Sequence, residues 1–137
     1  MVLDTGATES ELDFPLYKTV QGLIEQQSRQ DGKTLQELLI IYSHGHSDHD
    51  TDDSQFEGKP NVTIVKPNSE VNLELGDRKL SIIPAPEHQE KAITIYDPHT
   101  KWLLTGDTFY PSYLYVKDWN DYKKSIARLV LFRIHMR

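Results

Sequence analysis

A chain of 137 residues with 37% hydrophobic and 26% charged side chains has the balance of a globular protein, and its length fits one domain, 1–137, with little room for a second. Its formal charge is −6, from 15 basic and 21 acidic residues, and no basic stripe appears, which argues against nucleic acid as a partner. The absence of cysteine excludes disulfides, thiolate nucleophiles and Cys-bound zinc.

Met1 to Gly6 carries no basic stretch followed by a long apolar run, so it does not read as a signal peptide. No apolar run reaches membrane-spanning length, so no membrane partner is expected and the default compartment is cytoplasmic. Val2-Leu3 reads as the end of a strand running into a turn at Asp4-Thr5-Gly6. Pro15 suits the first turn of a helix, with Asp13 near its cap. Leu16, Val20, Leu23 and Ile24 follow at one-face helical spacing until Asp31-Gly32 breaks the pattern.

Leu38-Leu39-Ile40-Ile41-Tyr42 is a continuous apolar run, the pattern of a strand buried on both faces in a layered α/β protein. Short strands are predicted over 62–65, 71–75, 79–83, 92–96 and 102–105, with turns at Gly76-Asp77 and at Asp97-Pro98-His99-Thr100. His99 falls inside a turn and reads as exposed. Trp119, Tyr122, Ile126, Leu129 and Val130 outline an amphipathic helix. Leu131, Phe132, Ile134 and Met136 continue it, which makes His135 a helix-end residue rather than a ligand. Trp102, Tyr110, Tyr113, Tyr115 and Trp119 read as core or helix-packing aromatics in preference to a pocket wall. The fold class is α/β.

The segment that carries chemistry is Ser43-His44-Gly45-His46-Ser47-Asp48-His49-Asp50, directly after the buried strand. Neutral imidazole and carboxylate are what zinc takes when no thiolate is present. His44 and His46, two apart in an extended loop, can point to one side and share an ion, while Asp48 and His49 can face a second. Alternating histidines on a loop serve no packing purpose, so a merely solvated loop is the weaker reading. Ser43 and Ser47 lie in nothing that resembles a nucleophile elbow and read as loop residues.

His44-x-His46-x-Asp48-His49 resembles the defining motif of the metallo-β-lactamase-fold superfamily. Three more landmarks occur in the expected order: Leu3-Asp4-Thr5-Gly6, Pro84-Ala85-Pro86-Glu87-His88, where the family usually has Gly at the position of Glu87, and Trp102-Leu103-Leu104-Thr105-Gly106-Asp107-Thr108. The resemblance implies an αββα sandwich, truncated at the N-terminal strands and the C-terminal end, and without the helix that often follows the histidine motif. It implies a first Zn2+ on His44, His46 and His88 and a second on Asp48, His49 and Asp107, with Asp107 bridging. Asp4 would orient a ligating histidine, and Asp48 would also act catalytically by receiving or orienting a proton.

His46 and Asp107 point the resemblance toward glyoxalase-II-like and lactonase-like hydrolases. These use a metal-bound hydroxide on a small ester, thioester, lactone or lactam. The alternatives are a non-catalytic metal-binding remnant of the fold and a mononuclear iron dioxygenase of the same superfamily. Strands missing relative to that fold imply completion of the sandwich by a homodimer or an element swap.

Overall fold

The computed structural model describes residues 1–8, 10–34, 37–66 and 71–135. It divides into two compact units. One is Met1–Tyr42 with His46–Lys66, and the other is Ser43–Gly45 with Pro67–Arg137.

In the first unit, strands β1 (Val2–Leu3), β2 (Leu38–Ile41) and β3 (Val62–Val65) form a parallel sheet in that order. Val2 pairs with Ile40, and Leu38 to Ile41 pair in step with Val62 to Val65. Leu38, Ile40 and Ile41 are buried, as a strand covered on both faces requires. Helix α1 (Leu16–Asp31) starts after Pro15 and ends at Gly32, whose N–H donates to the Ser28 carbonyl at 2.9 Å.

Leu16, Tyr17, Val20 and Ile24 of α1 pack against a cluster of Leu38, Ile40, Tyr42 and Phe56. The Tyr17 and Phe56 rings meet edge to face at 5.7 Å. Leu23, expected on this face, is exposed. Tyr17 takes the opposite flank of the stripe, and centring the packed face on Tyr17 and Ile24 turns Leu23 outward.

The stretch after the histidine motif does contain helix, contrary to expectation. A single turn, α2 (Ser47–Asp50), runs into a 3-10 turn over Thr51–Gln55. Asp48, Asp50, Asp52 and Asp53 lie in the first turns of these elements, where carboxylates suit the exposed backbone N–H groups. The Asp4-Thr5-Gly6 turn clamps α2. Thr5 and Gly6 N–H donate to the His49 carbonyl at 2.7 and 3.2 Å, and Thr51 N–H donates back to Gly6 at 3.0 Å. Asp53 accepts from the Tyr42 hydroxyl and from Thr5 Oγ1 at 3.2 Å, with Lys66 Nζ at 3.5 Å. Its carboxylate thus ties the ends of β1, β2 and β3 together.

The second unit is an antiparallel meander of β4 (Val71–Leu75), β5 (Arg78–Pro84), β6 (Ile93–Asp97) and β7 (Trp102–Leu104), paired in chain order. Leu75 pairs with Arg78 across the Gly76-Asp77 turn, Ile82 with Ile95, and Ile95 with Leu104. Leu80, Ile82, Ile83, Ala92, Ile93 and Ile95 are buried. Helix α3 (Trp119–His135) contributes buried Leu129 and Ser125, and Phe132 packs edge to face on Tyr96 at 5.4 Å. Arg128 donates to the Pro84 carbonyl. His135 sits in the last turn of this helix, in keeping with the helix-end reading, while Met136 lies outside the described residues. No helix among the described residues is long and apolar enough to cross a membrane.

The turn after β6 is closed by Asp97, which accepts from His99 N–H at 2.9 Å, from Thr100 Oγ1 at 2.7 Å and from Arg78. Burial raises its pKa, but the three donors outweigh burial and hold the carboxyl at about 2. A carboxylate depressed on folding stabilises the fold above its unfolded value, near 4, and that contribution disappears as pH falls through about 2. Urea unfolding at pH 2, 3, 4 and 7 is therefore expected to show Asp97→Asn less stable than wild type at pH 7, with the gap closing toward pH 2. A gap independent of pH would overturn this. His99 itself is exposed in the turn.

Candidate metal centre

The first unit positions Asp48, His49 and Asp4. Asp4 adopts a left-handed backbone with φ 59°, and its N–H donates to the Ile41 carbonyl at 2.9 Å. This aims its carboxylate at α2, where His49 Nδ1 donates to Oδ2 at 3.0 Å. A non-glycine residue in this region costs about 1–3 kcal/mol and persists where the surroundings over-determine it, although Asp tolerates it better than most. His49 Nε2 lies 3.8 Å from Oδ2 of the exposed Asp48. His46 stands at the N-terminal end of α2 in extended backbone, and its carbonyl accepts from His49 N–H at 2.9 Å.

Asp4 therefore combines an orienting carboxylate with a backbone that few side chains tolerate. Asp4→Asn retains both an acceptor and left-handed tolerance, Asp4→Gly only the backbone, and Asp4→Ala neither. Metal affinity is expected to fall about 10–100-fold in Gly and Ala and less in Asn. Only Ala should also lose about 1–2 kcal/mol of stability. Chelator competition and thermal melts of the three variants would check this, and equal affinities across the series would remove the orienting role.

The second unit positions His44, His88 and Asp107. Ile93 N–H donates to the Ser43 carbonyl at 2.8 Å, and Gln89 Oε1 accepts from Gly45 N–H at 2.8 Å, which fixes the backbone on both sides of His44. His44 is 3% exposed, and its ring meets that of His88 nearly at right angles, with centroids 5.0 Å apart. The loop from Ala85 to Ala92 is closed by a 2.8 Å hydrogen bond from Ala85 N–H to the Ala92 carbonyl. It is tied to the start of α3 by Asp118 N–H to the Glu87 carbonyl at 3.3 Å and by Ser125 Oγ to the Pro86 carbonyl at 3.4 Å. His88 Nδ1 donates to the Tyr115 carbonyl at 2.8 Å, and its Nε2 faces Asp107 Oδ2 at 3.6 Å. Asp107 follows Gly106, which has φ +50° and comes so close to Ser43 that a Cβ would stand 2.7 Å from the Ser43 Cβ.

A common pattern links these imidazoles. Nδ1 of His49 is held by a carboxylate, Nδ1 of His88 by a carbonyl, and Nδ1 of His44 lies 3.0 Å from Ser43 Oγ. When the partner accepts from Nδ1–H, the neutral ring presents Nε2 as an electron-pair donor, as ligating histidines do. The donor set of imidazole and carboxylate fits zinc or iron.

Glu87 is also part of this unit. It is 5% exposed, and neither carboxylate oxygen has a hydrogen-bond partner among the described residues. Burial pushes its carboxyl above the usual range and Asp107 adds to this, opposed by His88 and Thr108.

Sequence reasoning missed the Tyr115 carbonyl, the Ser43 hydroxyl and the Gln89 clip, because backbone carbonyls and loop polar groups leave no periodic signal. It also misjudged the aromatics. Trp102, Tyr113, Tyr115 and Trp119 are exposed, Tyr113 to 75%, rather than packed in a core. Tyr113 and Tyr115 stack edge to face on each other at 5.2 Å, and Trp119 lies against Tyr122 at 5.5 Å. Tyr113, Tyr115 and Trp119 thus find ring partners close in sequence.

No protein-family model matches the chain. It is 24% identical over a 168-residue alignment to the acyl-coenzyme A thioesterase MBLAC2 of Bos taurus, covering 90% of this chain and 58% of that protein. Among solved structures, ETHE1 from Myxococcus xanthus superposes with a TM-score of 0.63 at 14% identity, over 93% of this chain and 57% of that one. A metallo-beta-lactamase from Pontibacter korlensis superposes with a TM-score of 0.54 at 16% identity, over 80% of this chain and 61% of that one. This chain's fold is the metallo-β-lactamase fold that these structures share. The metallo-β-lactamase-fold chain described here spans a little under two thirds of the length of each of these three proteins.

Proposed function

We propose that this chain is a zinc-dependent hydrolase of a small ester, thioester, lactone or lactam. The observation that carries the reading is the set of imidazoles held through Nδ1. In this reading His44, His46 and His88 would hold one ion and Asp48, His49 and Asp107 the second, with Asp107 contributing to both. His44 and His88, whose rings meet in the second unit, and Asp48 and His49, neighbours in the first, support it. The activity in the name of the Bos taurus relative, acyl-coenzyme A thioesterase, favours a thioester among the possible substrates.

Zinc in such a donor set supplies Lewis acidity and lowers the pKa of a coordinated water to about 7. The chain itself does two things. Asp4, Tyr115 and Ser43 fix ring orientation before any substrate arrives, so little reorganisation is left for the reaction. Asp48, exposed beside His49, receives or orients the proton released when water attacks the acyl carbon. The leaving thiol or alcohol takes up a proton as the acyl bond breaks.

A second copy of the chain covering exposed apolar side chains such as Trp102 and Leu103 on β7 completes the reading. A monomer mass in light scattering would remove that part.

The deciding experiment is metal analysis of protein purified without added metal, combined with assays on thioester, lactone and lactam substrates. The reading expects about two zinc ions per chain and turnover that is lost in His46→Ala. Bound zinc with thermal stabilisation but no turnover would replace it with a non-catalytic metal-binding remnant. Iron with oxygen consumption would replace it with an iron oxidoreductase.

A further inference from the structure

Glu87 raises a problem that the proposed ligand set does not solve. A carboxylate removed from water needs hydrogen bonds or a charge partner, and an isolated one is among the most costly groups to bury. Glu87 is 5% exposed with neither oxygen hydrogen-bonded among the described residues. Its electrostatic neighbours are the next residue, His88, the buried Thr108 hydroxyl and Asp107. Asp107 is itself an acid, and its Oδ2 lies 3.6 Å from His88 Nε2. Asp107 thus acts both on Glu87 and on the neighbouring His88, whose Nδ1 is held by the Tyr115 carbonyl.

The nearby protein groups do not offset this arrangement. Thr108 and His88 favour the ionised carboxyl, but neither gives a Glu87 oxygen a hydrogen-bond partner among the described residues. No Lys or Arg is among the groups that act on Glu87. The missing term is positive charge, and the donors next to Glu87 are of the kind that hold a cation. The main chain builds this position firmly, because the Glu87 carbonyl is fixed by Asp118 N–H and the loop is closed at Ala85 and Ala92.

We propose that Glu87 is a buried counter-charge for the cation held through His44, His88 and Asp107, so that it destabilises the metal-free chain and strengthens metal binding. This rests on the metal-binding part of the function proposed above. It adds a residue outside that ligand set, and it gives the Glu87 side chain opposite effects on the metal-free and metal-loaded forms.

The test is Glu87→Gln, which keeps the shape and removes the charge, with Glu87→Asp as the variant that restores a carboxylate. Zn2+ affinity is measured at one fixed pH by competition with a chelator, and melting temperature is measured with and without Zn2+. Glu87→Gln is expected to melt a few degrees higher than wild type without metal, to bind Zn2+ about 10-fold more weakly, and to gain less in melting temperature when Zn2+ is added. Glu87→Asp should recover part of the affinity.

Wild-type affinity in Glu87→Gln, whatever its metal-free melting temperature, would overturn the inference and leave the functional proposal intact. Failure of the wild-type chain to bind Zn2+ in the same titration would instead overturn the functional proposal and, with it, this inference. If Glu87→Gln does not fold, weakened Zn2+ binding by a folded Glu87→Asp would support the proposal, and unchanged binding would overturn it.

Discussion

On the proposed hydrolase reading, alanine in place of His44 is expected to leave a cooperatively folding chain whose thioester hydrolysis falls by about a thousandfold or more, equivalent to roughly 4 kcal/mol of transition-state stabilisation. The size follows from a comparison. Losing a partner that merely orients a ligand costs about 10–100-fold in affinity or activity, so losing the ligand itself must exceed that. His44 is nearly buried against His88, and truncation leaves a cavity that costs stability as well. Ser43→Ala is the graded control, because it keeps the ring and removes only the neighbour of Nδ1 at 3.0 Å. The order wild type, Ser43→Ala, His44→Ala should hold both for Zn2+ affinity and for kcat/KM. An His44→Ala chain that retains wild-type affinity would remove His44 from the site.

Gly106→Ala is expected to be the most damaging single methyl group in the second unit. Two costs combine. Left-handed backbone costs an L-residue about 1–2 kcal/mol, and forcing a Cβ to 2.7 Å from the Ser43 Cβ adds the roughly 1–3 kcal/mol typical of overpacking. A melting temperature lower by on the order of 10 °C is the expected readout. The two costs can be separated by a second substitution. Ser43→Gly removes the atoms that the new methyl group meets, so the double variant should be closer to Ser43→Gly alone than Gly106→Ala is to wild type. The backbone cost should persist. Strict additivity would mean that the close approach carries no energy.

Much of this was visible in the chain before any coordinates. Val62–Val65 and Val71–Leu75 form strands at the predicted limits, because short apolar or alternating runs bounded by turn residues have few other stable solutions. Leu38–Ile41 is the central strand of its parallel sheet, in line with its unbroken apolar run. The metal-donor residues stood out because imidazole and carboxylate at such density have no use in packing.

Other features depended on three-dimensional neighbours that spacing does not encode. Leu23 has the period of a buried residue, yet Tyr17 competes for the same stripe and is packed instead. The short helix after His46 forms because the Asp4-Thr5-Gly6 turn accepts and donates the hydrogen bonds that hold it. Tyr113, Tyr115 and Trp119 have the composition of a core, but they pair with rings close in sequence and stay exposed. The Tyr115 carbonyl is common to every residue type, so no sequence pattern could have singled it out.

The three ring nitrogens described above are anchored by unlike acceptors, an anion for His49, an amide oxygen for His88 and an alcohol for His44. Electron density pushed into an imidazole falls along that series, so the rings differ in donor strength although they are chemically the same side chain. A metal ion bound by any one of these rings would meet a different push, strongest from His49 and weakest from His44. Exchanging the anchors, rather than the histidines, is therefore the way to retune a centre of this kind without dismantling it.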